Sequence, residues 1–391
     1  MTIMLLTASV LVLSAFSLLG GCRQEQDAGR MRQKTAVERD ARDVPLRYAR
    51  RFTLTKLGRS TLIGIRKPEG AKRGVFFRYL LVPKGEKVPQ GYSDALVVRT
   101  PVRKVTGTQG LQIAMLDQLG EIGSIVGISR KAGTGNPLIQ ERFAEGRMQE
   151  TGMSSNMNME VMVNLHPDIA FVNASGSVND VHEKLLAMGV KPGLVCMHIE
   201  EEPLGVLEWI RFFGAFYGKD AEAEAFFNQA AERYEKVAAL VRAKKGRRPG
   251  VMVGHSVRGI WSTHGSSAWF VRLLHDAGSR YVLEDSTEYE ENPVSLEKAL
   301  HVGTTAEYWI NPRYDAQRME ELLGDDPRYR YFRSVRTGRV YNNNALVFSN
   351  GRSQFWENGM MEPDIVLRDL VKVFHPELLP DYRPKYYHPL R

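Results

Sequence analysis

Residues 220–245 are the stretch that any fold of this chain must accommodate first. Ala221, Ala225, Phe226, Ala230, Tyr234, Val237 and Leu240 recur at helical spacing. Acids open the run, and Arg242, Lys244 and Lys245 close it, so each end complements the helix dipole. At 1.5 Å per residue such a helix is about 37 Å long, more than the height of one small lobe. A second helix, 204–216, ends at Tyr217-Gly218 directly before it, with no strand between them. A pair of helices this long, set between segments of another character, predicts a stiff spacer joining two lobes.

Those flanking segments alternate strand and helix. Before the spacer, strands are predicted at 95–99, 122–128, 169–172 and 194–197, and helices at 110–119, 158–165 and 180–188. Asn179 stands at an N-cap and Gly189 where a helix-ending glycine belongs. After the spacer come a strand at 251–254, a helix at 267–277, a Ser295-capped helix at 296–302, a strand at 308–310 and a last helix at 364–374. The run from Asn158 to Asn173 and the run from Ser295 to Asn311 both read helix, loop with an acid, apolar strand, Asn. The alternation predicts an α/β fold of two lobes, each a mainly parallel sheet flanked by helices. Residues 48–82 instead alternate apolar and polar positions between turn-rich breaks, which predicts a small antiparallel sheet added at the N-terminus.

Residues 1–21 carry no charged side chain and close on Leu19-Gly20-Gly21 before Cys22. An apolar run this short, ending in small residues, reads as an export signal rather than a membrane span. The small residues before the cysteine resemble the lipobox of bacterial lipoproteins, although no Lys or Arg precedes the run. A plain signal peptide with an incidental Cys22 is the alternative. The lipobox resemblance implies cleavage before Cys22 and a diacylglycerol on its thiol. It also implies a mature chain anchored outside the cytoplasm of a bacterium, at the periplasmic face or the cell surface. The expected organisation is therefore signal peptide 1–21, flexible lipid-anchored tether 22–45, β extension 46–94, first lobe 95–202, linking helices 203–246 and second lobe 247–391.

Charge and cysteine content narrow the function classes. The net charge of +8 is spread along the chain, with no block of Lys and Arg interleaved with aromatics, so a nucleic-acid groove is not expected. A basic surface fits an anionic ligand or a membrane face. With Cys22 acylated, Cys196 has no disulfide partner; it reads as a buried position in the apolar run 194–197. Paired-cysteine zinc sites are excluded, and His255, His264 and His275 lack chelate spacing, so no metal site or cofactor is expected. One His or Tyr could still serve a bound haem as axial ligand. Gly-x-Ser-x-Gly and phosphate-loop motifs are absent. A hydrolase with a carboxylate pair is left as the reading from another class.

Several segments carry a family resemblance. Residues 113–129, Ile-Ala-Met-Leu-Asp-Gln-Leu-Gly-Glu-Ile-Gly-Ser-Ile-Val-Gly-Ile-Ser, resemble a first helix–strand unit. Asn158-Met-Glu followed by Leu165-His-Pro-Asp168 resembles an "Asn-Leu-Glu, then Leu-x-Pro-Asp" signature. Residues 209–218 and the segment Phe355-Trp-Glu-Asn-Gly through Pro363-Asp-Ile resemble a branch with an added N-terminal β segment. With the lipobox and the long linking helix, the chain resembles the substrate-binding lipoproteins of ABC importers, of the subclass serving iron–siderophore, haem and cobalamin uptake. The resemblance implies a non-enzymatic monomer that closes on its ligand through a small hinge. Permease and ATPase subunits are the implied partners. It also implies one docking carboxylate per lobe, here Glu357 in the second lobe and Gln149 or its neighbour Glu150 in the first.

Open α/β sheets bind ligands just beyond strand ends. The candidates there are Thr108, Gln109, Gln112, Arg130, Ser154, Ser155 and Ser175 in the first lobe, and Trp261, His264, Ser267, Tyr289 and Trp356 in the second. Aromatics and small polar groups suit a large, partly apolar ligand. The expected ligand is an iron complex, a ferric siderophore or haem, with cobalamin as the alternative. A surface lipoprotein that scavenges haem without a permease is a further reading.

Overall fold

The helix Asp220–Ala243 is a 24-residue rod, about 36 Å long at 1.5 Å per residue. Its buried face is rich in alanine (Ala223, Ala230, Ala231 and Ala238, with Phe227, Tyr234, Val237 and Val241), which lets neighbouring backbones come close. Helices Ile210–Tyr217 and Pro363–Phe374 both pack on it. Polar ties add to this packing: Tyr234 donates to Asp276 of helix Trp269–Asp276 at 2.8 Å, and Arg233 pairs with the buried Asp364 of helix Pro363–Phe374 at 2.8 Å. The computed structural model describes residues 41–67, 74–107, 109–153, 156–177, 180–283 and 291–391. The expected signal peptide, Cys22, most of the tether and Asn179 lie outside them.

Five strands form the N-terminal sheet: β1 (Ala41–Val44), β2 (Phe52–Leu57), β3 (Ser60–Arg66), β4 (Val75–Pro83) and β5 (Leu96–Thr100). The order is sequential, antiparallel from β1 to β4, with β5 parallel to β4. Two expectations change here. Residues 41–44, assigned to the tether, are a strand, because Ala41–Val44 pair with Leu57–Leu54. The strand assigned to the start of the first lobe is the last strand of this sheet. A short apolar strand does not encode its partner, and β4 offered it a free edge.

The first lobe contains β6 (Val105–Thr106), β7 (Gly127–Ile128), β8 (Gln149–Glu150), β9 (Ile169–Asn173) and β10 (Pro192–Val195). All pairings among them are parallel. Main-chain bonds from Val126 to Val105 and from Gly107 to Gly127 place β7 beside β6. The single strand expected over 122–128 is thus a short 3-10 turn followed by two strand residues. In the second lobe, β11 (Gly250–Val253), β14 (Arg280–Tyr281), β16 (Tyr308–Ile310), β17 (Val340–Asn342) and β18 (His388–Pro389) form a sheet of order β14-β11-β16-β17-β18, parallel except for β18. A separate antiparallel sheet of β12 (His255–Val257), β13 (Ile260–His264) and β15 (Glu291–Ser295), not foreseen in the sequence, covers its end.

The two lobes share a plan. In each, the first strand is internal, with the second on one side and two later strands on the other: β7-β6-β9-β10, extended beyond β7 by β8, and β14-β11-β16-β17. The acid in each repeated segment has one job, which is to hold the entry to the first strand. Asp168 accepts from the backbone of Arg103 and Lys104, and Glu307 accepts from Gly250 N–H and pairs with Arg247. Ser295 caps its helix as expected, and Asn158, expected inside its helix, is a cap as well; each accepts from the backbone N–H three residues on.

Candidate functional site

In an open parallel sheet, the place where strand order reverses leaves a crevice at the carboxyl ends of the strands. Both lobes have such a point, between β6 and β9 and between β11 and β16, and a cavity opens at each. The larger cavity, about 350 Å³, lies between the lobes. Gln109, Gln112 and Asn173 form its first-lobe wall at the reversal. Gln109 and Gln112 make a capping box on helix Gly110–Gln118. The buried Gln112 donates to Asn173 at 2.9 Å, and Asn173 donates in turn to Gln109. The wall is thus a braced row of amides. Met153, Met197, Trp269, Trp356 and Met360 add apolar surface from both sides.

Two guanidinium groups border this cavity from opposite lobes, Arg130 and Arg352. Arg352 is half-buried, and its Nε donor is buried with no hydrogen-bond partner. Among the described lining residues, Glu357 is the one carboxylate, so the carboxylate pair of a glycosidase is not assembled there. Glu357 is 2% exposed. It reaches across the cleft to accept from Thr134 Oγ1 at 2.8 Å and Gly135 N at 3.1 Å. Burial raises its pKa, against the lowering by these two donors and by Arg352. Asn350 donates to Thr134 O at 2.9 Å, and a Cβ at Gly135 would overlap the Phe348 ring, so the lobes are in close contact here.

A smaller cavity, about 250 Å³, lies at the second reversal, behind Trp356, which lines both. Its walls are Gly254, His255 and His264 around the β12–β13 hairpin, with Asn311 and Asn343 at the ends of β16 and β17.

Of the ligand contacts expected from sequence, Gln109, Gln112, Arg130 and Trp356 line the interlobe cavity, and His264 the smaller one. Thr108, Ser154, Ser155 and Tyr289 lie outside the described residues. Ser175 and Ser267 line neither cavity. Trp261 is corrected: it is fully buried, stacks with Trp309, Tyr329 and Phe332, and donates to Val253 O, so it is core. Glu357 is also corrected. A docking acid must present its charge to a partner, and both oxygens of Glu357 are buried against the other lobe. Glu150 is exposed at β8, where it accepts from Lys131 N–H. Cys196 is buried just past β10, and burial pushes its thiol pKa up, away from the reactive range. Sequence reasoning missed Asn173, Arg352, Asn311 and Asn343. For two of them a signal was present, because Asn173 and Asn311 end the two similar segments.

Among the described residues no group of three or more His, Cys, Asp or Glu side chains is arranged to hold a metal ion, and no helix is long and apolar enough to cross a membrane. An uncharacterised lipoprotein of Methanocaldococcus jannaschii is 26% identical over 98% of both chains. A second from the same organism is 24% identical over 77% of this chain and 73% of its own. A periplasmic heme binding protein from Pseudomonas aeruginosa shares the fold with a TM-score of 0.54 at 19% identity, over 74% of this chain and 98% of that one. Helicobacter pylori CeuE with Ni(II) bound gives 0.58 at 15%, over 76% and 92%. Residues 107–345, which run from just after β6 through the long helix to β17, match the profile of the periplasmic binding protein family. By that match and by its two lobes about one helix, the chain belongs to the periplasmic binding protein family.

Proposed function

We propose that this protein captures an anionic metal chelate, a ferric siderophore or haem, between its lobes and delivers it to the permease and ATPase subunits of an ABC importer. The observation that carries this reading is the interlobe cavity bordered by one arginine from each lobe, with a buried Arg352 Nε–H free to donate to an anion's oxygen. The single carboxylate there, Glu357, is already held by Thr134 and Gly135. Trp269, Trp356 and the three methionines suit a large, partly apolar ligand. Cobalamin is the second reading, supported by the amide-lined cavity beside the cleft. An anchor at Cys22, in keeping with relatives that are named lipoproteins, would hold the clamp near its membrane partner. Glu150 remains the exposed acid proposed for docking.

Titration of the detergent-solubilised chain with ferric enterobactin, haemin and cyanocobalamin tests the ligand class through tryptophan fluorescence. Trp356 and Trp269 line the cleft, so the true ligand quenches saturably. A flat response to all three would remove the proposal.

A further inference from the structure

We infer that the cavity behind Trp356 is a second subsite, taking a neutral carboxamide- or hydroxamate-type group of the ligand whose anionic part lies in the interlobe cleft. This deepens the proposed function and rests on it.

Three neighbouring asparagines carry the argument. Asn342 is buried and fully used: it donates to Arg313 O and Ala316 O and accepts from Asn343 N–H. Asn344 likewise donates to Ala316 O at 3.0 Å. Asn343 stands between them, is 1% exposed, and has neither its amide nitrogen nor its amide oxygen in a hydrogen bond. Asn343 is also one of the residues that line the cavity, so its unpaired amide lies at the cavity wall. Buried polar atoms are nearly always paired, so an amide left with donor and acceptor both open is waiting for a partner.

The opposite wall repeats the pattern. Asn311 lies at the end of β16, the position that Asn173 holds in the first lobe. Asn173 is braced by Gln109 and Gln112, whereas the Asn311 amide forms no well-formed hydrogen bond and has the Tyr387 hydroxyl within interaction range. Its backbone is held at φ 52°, left-handed and unusual for a residue other than glycine. Gly254 completes the frame at φ 98°, with Ser262 O where any side chain would start.

The chemistry of the space selects the occupant. No Asp, Glu, Lys or Arg is among the described residues that line it. A carboxamide pairs best with a group that also offers one donor and one acceptor, such as another amide or a hydroxamate. The cavity, about 250 Å³, is far larger than the roughly 30 Å³ share of one water. Because Trp356 lines both cavities, one ligand spans them by passing its indole. The ligand class is therefore an anionic chelate with amides at its periphery. An amide-linked ferric siderophore and a corrinoid with its phosphate both offer such a group to this subsite; haem, which has carboxylates and no amide, would occupy the interlobe cleft without using it.

The test uses the full chain and two variants, Asn343→Ala, which removes the open amide, and Ser262→Leu, which narrows the cavity from a half-buried position. The probes are ferric enterobactin, cyanocobalamin and haemin. The expected result is that an amide-bearing probe binds the parent and loses at least tenfold in affinity in both variants. Any haemin binding stays unchanged, and thermal stability stays close to the parent's. Which amide-bearing probe binds identifies the source. Binding of haemin alone, an equal loss for haemin, or unchanged affinity in Ser262→Leu overturns the subsite while leaving the interlobe reading intact. No binding of any probe overturns that reading, and the subsite with it.

Discussion

The molecule has two seams closed by buried carboxylates, and they are built differently. At the first, residues 47–51 lie against the linking helices. Glu208 accepts from the backbone N–H groups of Arg47, Tyr48 and Ala49 at 2.8–3.0 Å and from Arg211. Glu200 accepts from Arg50 and Arg51 N–H and from the Trp209 indole. Phe52, Trp209 and Phe212 stack beside them, at ring distances of 4.7–5.9 Å. At the second seam, between the lobes, Glu357 has two donors, and an open cavity borders it. Removing a carboxylate from water costs several kcal/mol unless hydrogen bonds and ion pairs replace the lost hydration. The first seam supplies more donors to each carboxylate, although burial still raises the Glu200 pKa, and this suits a permanent contact. The second replaces the lost hydration only in part, which suits a contact that must open when a ligand enters or leaves.

The most direct way to break this comparison is Glu208→Ala. It strands three backbone N–H groups and leaves Arg211 with a weaker set of partners. Urea unfolding should show a loss of about 3–5 kcal/mol, the usual result of removing one partner from a buried charge network. Ligand affinity of the folded protein should not change. The matching change at the working seam, Glu357→Ala, should cost about 1 kcal/mol, because its donors are few and can be rehydrated. Equal losses at the two sites would show that the seams are not of different kinds.

Gly135→Val sharpens the comparison from the other side. The added carbons meet the Phe348 ring only when the lobes are together. The variant should fold normally but close poorly. If about one molecule in ten can still close, apparent affinity falls about tenfold. The second change Phe348→Ala should restore it. Small-angle scattering of the ligand-saturated protein would report the altered closure, and full affinity in Gly135→Val would mean that this contact does not form in the bound state.

How far these seams could be read from sequence depends on what kind of signal each residue carries. The rod at 220–243 and the cap at Ser295 are local matters of spacing and chain direction, and they were legible. The partner of β5 was not, because an apolar strand of five residues fits any free edge. Trp261 and Trp356 look alike in sequence, since both are aromatics near predicted loops; only packing sends one into the core and the other to the cleft. Glu357 read as a surface acid because its partners, Thr134 and Gly135, are more than 200 residues away. Asn343 sits in the run Asn342-Asn343-Asn344 and Arg352 in the run 349–353, two short polar stretches where nothing distinguishes an open donor from a used one.

The smallest expected effect, and the most specific, is the pH response of the working seam. Burial raises the Glu357 pKa in the closed form above the ordinary glutamate value of 4.5, with the nearby Arg352 opposing part of the rise. In an open form the carboxyl is wetted and returns toward that ordinary value. The closed form therefore binds the proton more tightly, and closure is favoured most at low pH. That advantage is lost as pH rises from 4.5 through the raised value, and it is constant above both. Glu357→Gln keeps one oxygen to accept from Gly135 N–H and turns an NH2 toward Thr134 Oγ1, which can accept in place of donating, but it carries no charge to desolvate. Its affinity should exceed the parent's severalfold at pH 8, and the ratio of the two should shrink as pH falls. Ionisation of the ligand affects both proteins alike and cancels in that ratio. A ratio that does not change with pH would mean that the charge on Glu357 plays no part in separating the lobes.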